Sequence, residues 1–330
     1  MGWSLTGRDD KLVIFDTDPG IDDAMALLFM RAQPSIKLLA LTTVFGNAEV
    51  DVTTRNALYL TQRFGIDAPV YRCATKPLTI KRHPPPHAIH GEDGLGDVGV
   101  VGEFQAEPAT GEACDKIIEL VRANPGKVTI LAVGPLANLA LALQRDPGIA
   151  PLVKDVVIMG GAFGWAGRRG NVSPVAEANI FNDPHAADIV FTAPWPVTAI
   201  GLDVTSQCVL TNHQAAELAT SAGESGQFLW DISRGYEDIY RRTQGVDGCC
   251  LHDVAAAAWL IDPGLFETRT GPVRVLTEGI AIGQTIQKWD QQQFGASAWD
   301  GQNSQRVCVA ADNARLVRTY MEALRAGPAT

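Results

Sequence analysis

The stretch Lys11-Leu-Val-Ile-Phe-Asp16-Thr-Asp18-Pro-Gly-Ile-Asp22-Asp23-Ala24 decides how this chain folds. Residues 12–15 are an apolar run of strand length, Pro19 and Gly20 are turn residues that end it, and the apolar positions after Asp23 open a helix. Strand, tight turn and helix in that order gather Asp16, Asp18, Asp22 and Asp23 at the carboxyl end of the strand, where open α/β sheets hold their ligands. Carboxylates so crowded repel one another unless a cation or protons neutralise them. A site with only oxygen donors suits a hard ion, Ca²⁺ or Mg²⁺. The competing reading of an isolated Asp-Asp pair is a solvated turn with an N-cap aspartate. Four acids between a buried strand and a buried helix weigh against that.

Outward from this stretch, strands are expected at 12–15, 38–44, 128–133, 155–159 and 197–202, and helices at 22–31, 49–64, 111–123, 136–144 and 184–191. This βαβα order predicts an α/β fold: a single domain (1–330, core 12–325) with a mostly parallel, Rossmann-like sheet covered by helices on both faces. Two segments interrupt it. Residues 81–102 contain Pro84-Pro85-Pro86 and five glycines, too long for an ordinary connection and expected to form a lid. Helical-looking material at 214–240 runs into the Gly-rich stretch 245–248, so a second lid loop is expected over about 223–250. A last helix near 313–326 carries Leu316, Tyr320 and Leu324 at helical spacing, as core packing.

The composition excludes several functions. With 46% hydrophobic and 19% charged residues in 330, the chain can bury a sizeable core. A net charge of −10 without a basic helix face disfavours nucleic acid or anionic membrane as partner and leaves small neutral ligands open. The first ten residues lack the features of a signal peptide, Met1-Gly2 sits in a poor myristoylation context, and no stretch has the length of a spanning helix. The six cysteines (73, 114, 208, 249, 250 and 308) show no CxxC or metal spacing and read as reduced, buried thiols of a cytoplasmic protein.

The N-terminal run resembles the signature of the nucleoside hydrolase family, Asp-x-Asp-Pro-Gly-x-Asp-Asp, complete here as Asp16, Asp18, Pro19, Gly20, Asp22 and Asp23. Later segments resemble the family in order. In Leu251-His252-Asp253, the resemblance makes Asp253 a Ca²⁺ ligand; alone, the segment reads equally as a helix cap. In Val133-Gly134-Pro-Leu136-Ala-Asn138 it makes the Val133 carbonyl a ligand, so the implied Ca²⁺ site is Asp18, Asp23, Asp253 and Val133. Asn171, Glu177 and Asn179 match a ribose-binding segment, with Ala178 in place of a common Phe. Asn47 in Val44-Phe-Gly46-Asn47 and Asp22 are carried over as ribose ligands. Met159 maps near the sugar, although a methionine at a strand end also suits plain core.

Three elements could serve the leaving base. His90, in Ile-His90-Gly91-Glu92, matches a family His-Gly-Glu. Tyr236 and Tyr240 are four apart on one helical face, and Tyr240 precedes His252 by twelve residues, an arrangement that resembles family members that cleave pyrimidine nucleosides. Tyrosines at this spacing also suit packing, and a lone lid histidine suits a solvated position. The resemblance implies Ca²⁺-dependent hydrolysis of a ribonucleoside to ribose and base, with Asp18 as general base and His252 protonating a purine. Uridine and cytidine are the expected substrates, with inosine or a purine preference as alternative, and a homo-oligomer, dimer or tetramer, is implied. Two other readings compete. Haloacid-dehalogenase-like phosphatases also begin Asp-x-Asp, but here Pro19-Gly20 follows and no downstream Lys and acidic pair is evident. A non-enzymatic ribose- or Ca²⁺-binding module would lack an activatable water beside a base.

Overall fold

The computed structural model describes residues 10–102, 104–295 and 297–328. The first nine residues, on which the signal-peptide and myristoylation readings fall, lie outside them.

The chain forms strands β1 (Lys11–Thr17), β2 (Ile36–Thr43), β3 (Val70–Arg72), β4 (Val128–Ala132), β5 (Asp155–Met159), β6 (Val197–Ile200), β7 (Val209–Thr211), β8 (Gly248–Cys250), β9 (Phe266–Gly271), β10 (Val273–Val275), β11 (Thr285–Gln287) and β12 (Gln305–Ala311). Its helices are α1 (Ile21–Arg31), α2 (Val50–Arg63), α3 (His87–His90), α4 (Ala113–Ala123), α5 (Ala137–Arg145), α6 (Ala178–Asn182), α7 (Pro184–Thr192), α8 (Leu202–Thr205), α9 (Asn212–Ser221), α10 (Gly223–Gln244), α11 (His252–Ile261) and α12 (Asn313–Ala326). One eight-stranded sheet runs β3-β2-β1-β4-β5-β6-β12-β9, parallel throughout except for the antiparallel edge strand β9.

The strand order places the site. From β1 the chain leaves through α1 toward β2 and β3, then returns through α4 to β4 on the other flank of β1. The order therefore reverses between β1 and β4, and ligands of open α/β sheets bind in the crevice at the carboxyl ends of such strands. Asp16 pairs across this point with Thr42 and Ala132.

Strand alternation builds a core on each face. Val13 and Phe15 join the cluster under α1, α10, α11 and α12, while Ile14 joins the one under α4, α5 and α7. Helix α1 is buried at every position but Arg31, so its two aspartates lie inside the protein.

Two sequence readings change. The stretch expected to be a second lid loop is mostly the 22-residue helix α10, ended by Gly245 at φ 67°. Phe228, Ile232, Tyr236 and Tyr240 recur every fourth residue and are all buried, giving an apolar stripe that outweighs the interior glycines. Among the cysteines, Cys73 is only half-buried. The first irregular segment packs on α10: a Cβ at Gly96 would lie 2.4 Å from the Ile232 carbonyl, and its φ of +83° also favours glycine. None of the described helices is long and apolar enough to cross a membrane.

Candidate active site

Asp18 is fully buried beyond the end of β1. The backbone N–H of Asn47 donates to its Oδ2 at 2.8 Å, while Oδ1 has no hydrogen-bond partner among the described residues. Asp23, in the first turn of α1, is held more fully. Its Oδ1 accepts from the Thr17 hydroxyl and the Asp18 N–H (3.2 Å), and its Oδ2 from the Gly20 N–H (2.9 Å) and the Asn47 amide (3.0 Å). Gly20 occupies the N-cap of α1, so neither aspartate is the N-cap residue, and Asp23 at N3 reaches back to the cap N–H. Asp16 turns elsewhere, accepting from Thr42 at 2.6 Å and from Asn138 at 2.8 Å, and supports the strand ends.

Asp253 comes from the first turn of α11, which packs against α1. Leu251 occupies the cap position, so the capping role falls away. Carboxylate oxygens of Asp22, Asp23 and Asp253 lie within 4.8 Å of one another. Burial first, and neighbouring carboxylates after it, push Asp18 and Asp253 well above the ordinary range. Burial likewise raises Asp22 and Asp23 to about 6. The oxygen-only donors and the unpartnered buried Oδ1 atoms of Asp18 and Asp22 fit a hard divalent cation. Val133 extends the end of β4, and its carbonyl accepts from Asn179 Nδ2 at 2.7 Å.

The groups expected to hold a sugar border this cluster. The amide of Asn179 also reaches the Met159 carbonyl at 3.1 Å, tying α6 to β5. Glu177 caps α6 and takes backbone N–H bonds from Asn179 (2.9 Å), Ile180 (3.2 Å) and Gly161 (2.9 Å). Met159 is buried against Asn179. Asn171 is exposed, its Oδ1 accepting from the Ala178 N–H at 3.0 Å.

On the other side, side chains link in a row. Tyr236 stands 3.4 Å, hydroxyl to hydroxyl, from Tyr240. Tyr240 Oη lies 2.6 Å from His252 Nε2, and His252 Nδ1 lies 2.7 Å from the Thr205 hydroxyl. The tyrosines are thus both packed and hydrogen-bonded. His90 is buried, its Nδ1 accepts from the Ile21 N–H at 3.3 Å, and its ring stands 5.7 Å from that of Tyr236. Burial depresses both His90 and His252 to about 4, so both imidazoles are neutral at pH 7.

Sequence reading missed Thr205, Gly46 and Gly134 as parts of this site. A Cβ at Gly46 would lie 1.9 Å from Asp18 Oδ2, and one at Gly134 would lie 2.6 Å from Oδ1. Both glycines appear in the quoted turns, which was the available signal. Thr205, in α8, had none.

Buried acids at the switch point of a parallel sheet, with amide-rich polar groups around them, form an acid-lined site where open α/β sheets bind their ligands. The family model for inosine-uridine preferring nucleoside hydrolase matches residues 13–318. Uridine nucleosidase 1 of Arabidopsis thaliana is 42% identical over 302 residues, 91% of this chain and 86% of the relative. The inosine-uridine preferring nucleoside hydrolase of Crithidia fasciculata is 38% identical over 279 residues, 84% and 87% of the two chains. The solved plant nucleoside hydrolase PpNRh1 superposes with a TM-score of 0.90 at 36% identity, covering 96% of this chain and 99% of that one. The chain belongs to the inosine-uridine preferring nucleoside hydrolase family, whose members are N-glycosidases acting on small-molecule nucleosides. The phosphatase and binding-module readings are set aside.

Proposed function

We propose that this enzyme is a Ca²⁺-dependent ribonucleoside hydrolase that cleaves uridine and cytidine and also accepts inosine. The supporting observation is the row Tyr236–Tyr240–His252 beside the carboxylate cluster. A pyrimidine leaves poorly without protonation, and these side chains offer a proton at the base end of the site.

Asp18, Asp23, Asp253 and the Val133 carbonyl would hold the ion, which when bound supplies a Lewis acid for water and sugar hydroxyls. Asp22, Asn47, Asn171, Glu177 and Asn179 orient the ribose, with Met159 against it, and fix C1′ for attack. Asp18 takes a proton from the attacking water as its oxygen bonds to C1′ through an oxocarbenium-like transition state. The C1′–N bond breaks, and its electron pair leaves with the base.

With the ring proton assigned to Nε2, His252 accepts from Thr205 and donates to Tyr240, whose hydroxyl faces Tyr236. Both nitrogens of His252 are thereby engaged, so it reaches a base, purine or pyrimidine, through Tyr240. His90, neutral and facing Tyr236, completes that wall.

The test is a kinetic panel of uridine, cytidine, inosine, adenosine and guanosine with base release measured. Uridine or cytidine should show the highest kcat/KM. Adenosine or guanosine leading the panel would overturn the preference.

A further inference from the structure

We propose that Cys73 and Cys114 form an oxidation site, a thiol pair that a hydroperoxide converts to a disulfide. Cys73 follows β3 and Cys114 opens α4, 41 residues apart in sequence, yet their Sγ atoms stand 2.8 Å apart. Nothing in the sequence spacing brings them together; the parallel bridge between Arg72 and Glu112 does.

The two sulfurs are not equivalent. Cys73 is half-buried and within reach of solvent, whereas Cys114 is buried. The Cys73 sulfur faces the Cys114 thiol at the positive end of α4. Arg145, bonded to Glu112 and Asp115, adds positive charge alongside. The neighbouring Cys114 and Arg145 lower the Cys73 thiol pKa on balance, against its partial burial and the Glu112 carboxylate, and an accessible thiol beside a resolving one is the arrangement of oxidisable cysteines. The Cys73 thiolate attacks the peroxide O–O bond, giving sulfenic acid and releasing water or an alcohol. Cys114 then attacks the Cys73 sulfur, forming the S–S bond and expelling the sulfenic oxygen as water. Two thiols are oxidised and one peroxide bond is reduced.

A metal is the competing occupant, because Glu112 completes a Cys-Glu-Cys group whose ligand atoms lie within 4.8 Å of one another. Two thiolates on one tetrahedral zinc at about 2.3 Å each stand about 3.8 Å apart, wider than this pair. Glu112 is also already engaged by Arg145.

The bond would secure a strip next to the active site. Ala74 accepts from the Phe45 N–H at 3.2 Å and donates to Asn138 Oδ1 at 2.9 Å, and Asn138 holds Asp16. Closing a loop of this length should raise Tm by about 5 °C.

Reduced full-length enzyme is treated with stoichiometric hydrogen peroxide, alkylated and mapped without reduction. The expected result is one cross-linked peptide joining Cys73 to Cys114, two hydrogens lighter, reversed by dithiothreitol together with the Tm gain. In Cys114→Ser, Cys73 should instead be trapped as a sulfenic acid adduct by a 1,3-dione. Recovery of both cysteines as free thiols from oxidised wild type would overturn the proposal. So would native mass spectra showing one zinc retained by reduced wild type and lost in Cys73→Ser.

Discussion

Replacing Gly46 by alanine probes the placement of Asp18 without touching its chemistry. The added Cβ would stand 1.9 Å from Asp18 Oδ2, 2.8 Å from its Cγ and 2.9 Å from Pro135 Cδ. Ordinary contact begins at 3.4 Å, so the carboxylate oxygen must retreat by about 1.5 Å (3.4 − 1.9). That retreat breaks the 2.8 Å bond from the Asn47 N–H, which is otherwise worth about 1.5–3 kcal/mol as a hydrogen bond to a charged group. A misplacement near 1 Å at a reacting group costs about 10²-fold in rate, while overpacking costs about 1–3 kcal/mol of stability. We expect kcat for uridine to fall at least about 100-fold, with Tm lower by only about 3 °C. Gly134→Ala is the graded partner. Its Cβ would sit 2.6 Å from Asp18 Oδ1, demanding about 0.8 Å of movement (3.4 − 2.6), and the loss should be smaller. The assay follows the absorbance change as uridine releases uracil, with thermal melts in parallel. Turnover in Gly46→Ala within threefold of wild type, in a protein that melts normally, would refute the reasoning.

Asp18→Asn keeps the size and one ligating oxygen but cannot accept a proton, so turnover should be lost while the melt stays cooperative; near wild-type turnover would remove Asp18 as base. Replacing Tyr236 and Tyr240 together with Phe keeps the rings and deletes the hydroxyls. Uridine should then suffer about 10²-fold or more, the scale of one general acid, and inosine, as a purine the easier leaving group, should suffer less; equal losses would mean that the tyrosines only shape the pocket. The last prediction concerns pH and the ion. Asp22 and Asp23 ionise near 6 in the folded chain but near 3.9 when unfolded. Between these values the folded state holds more protons, so metal-free stability falls as pH rises through that window. Ca²⁺ favours the ionised carboxylates, and its Tm increment should be larger at pH 8 than at pH 5; an equal or larger increment at pH 5 would contradict the site.

The strand, turn and helix from Lys11 to Arg31 were legible because one short window carries the change from an apolar run to helical spacing, with Pro19 and Gly20 between. Helix α10 was half-legible: helical material was expected over 214–240, but the Gly-rich stretch 245–248 drew a lid reading over 223–250, and only burial against α1 and α9 settles the matter. Thr205 was invisible, because its bond to His252 spans 47 residues and a threonine in an apolar segment carries no pattern. Cys73 and Cys114 were invisible for the same reason, joined by the sheet and not by spacing. Family resemblance supplied Asp253 and Val133 as ligands. Their nearness to Asp23 and Asn179 follows from topology, which sets α11 against α1 and β4 beside β1.

The protein itself neutralises its acids unevenly, and that unevenness locates the chemistry. Asp23 receives four hydrogen bonds and sits in the first turn of α1, where the helix dipole favours negative charge. Asp18 receives one on Oδ2 and, among the described residues, none on Oδ1. Asp16 also keeps a bare Oδ1, but its Oδ2 takes two donors, Thr42 and Asn138. Gly46 and Gly134 keep side chains away from both Asp18 oxygens. A buried carboxylate left under-satisfied costs stability in the empty protein. On the proposed mechanism the cost would be recovered on binding a cation and a water, the bare lone pairs being the ones to bind and accept a proton. Asp18 then has a lone pair free to accept a proton, and Asp23, with four hydrogen bonds, is best suited to hold its place.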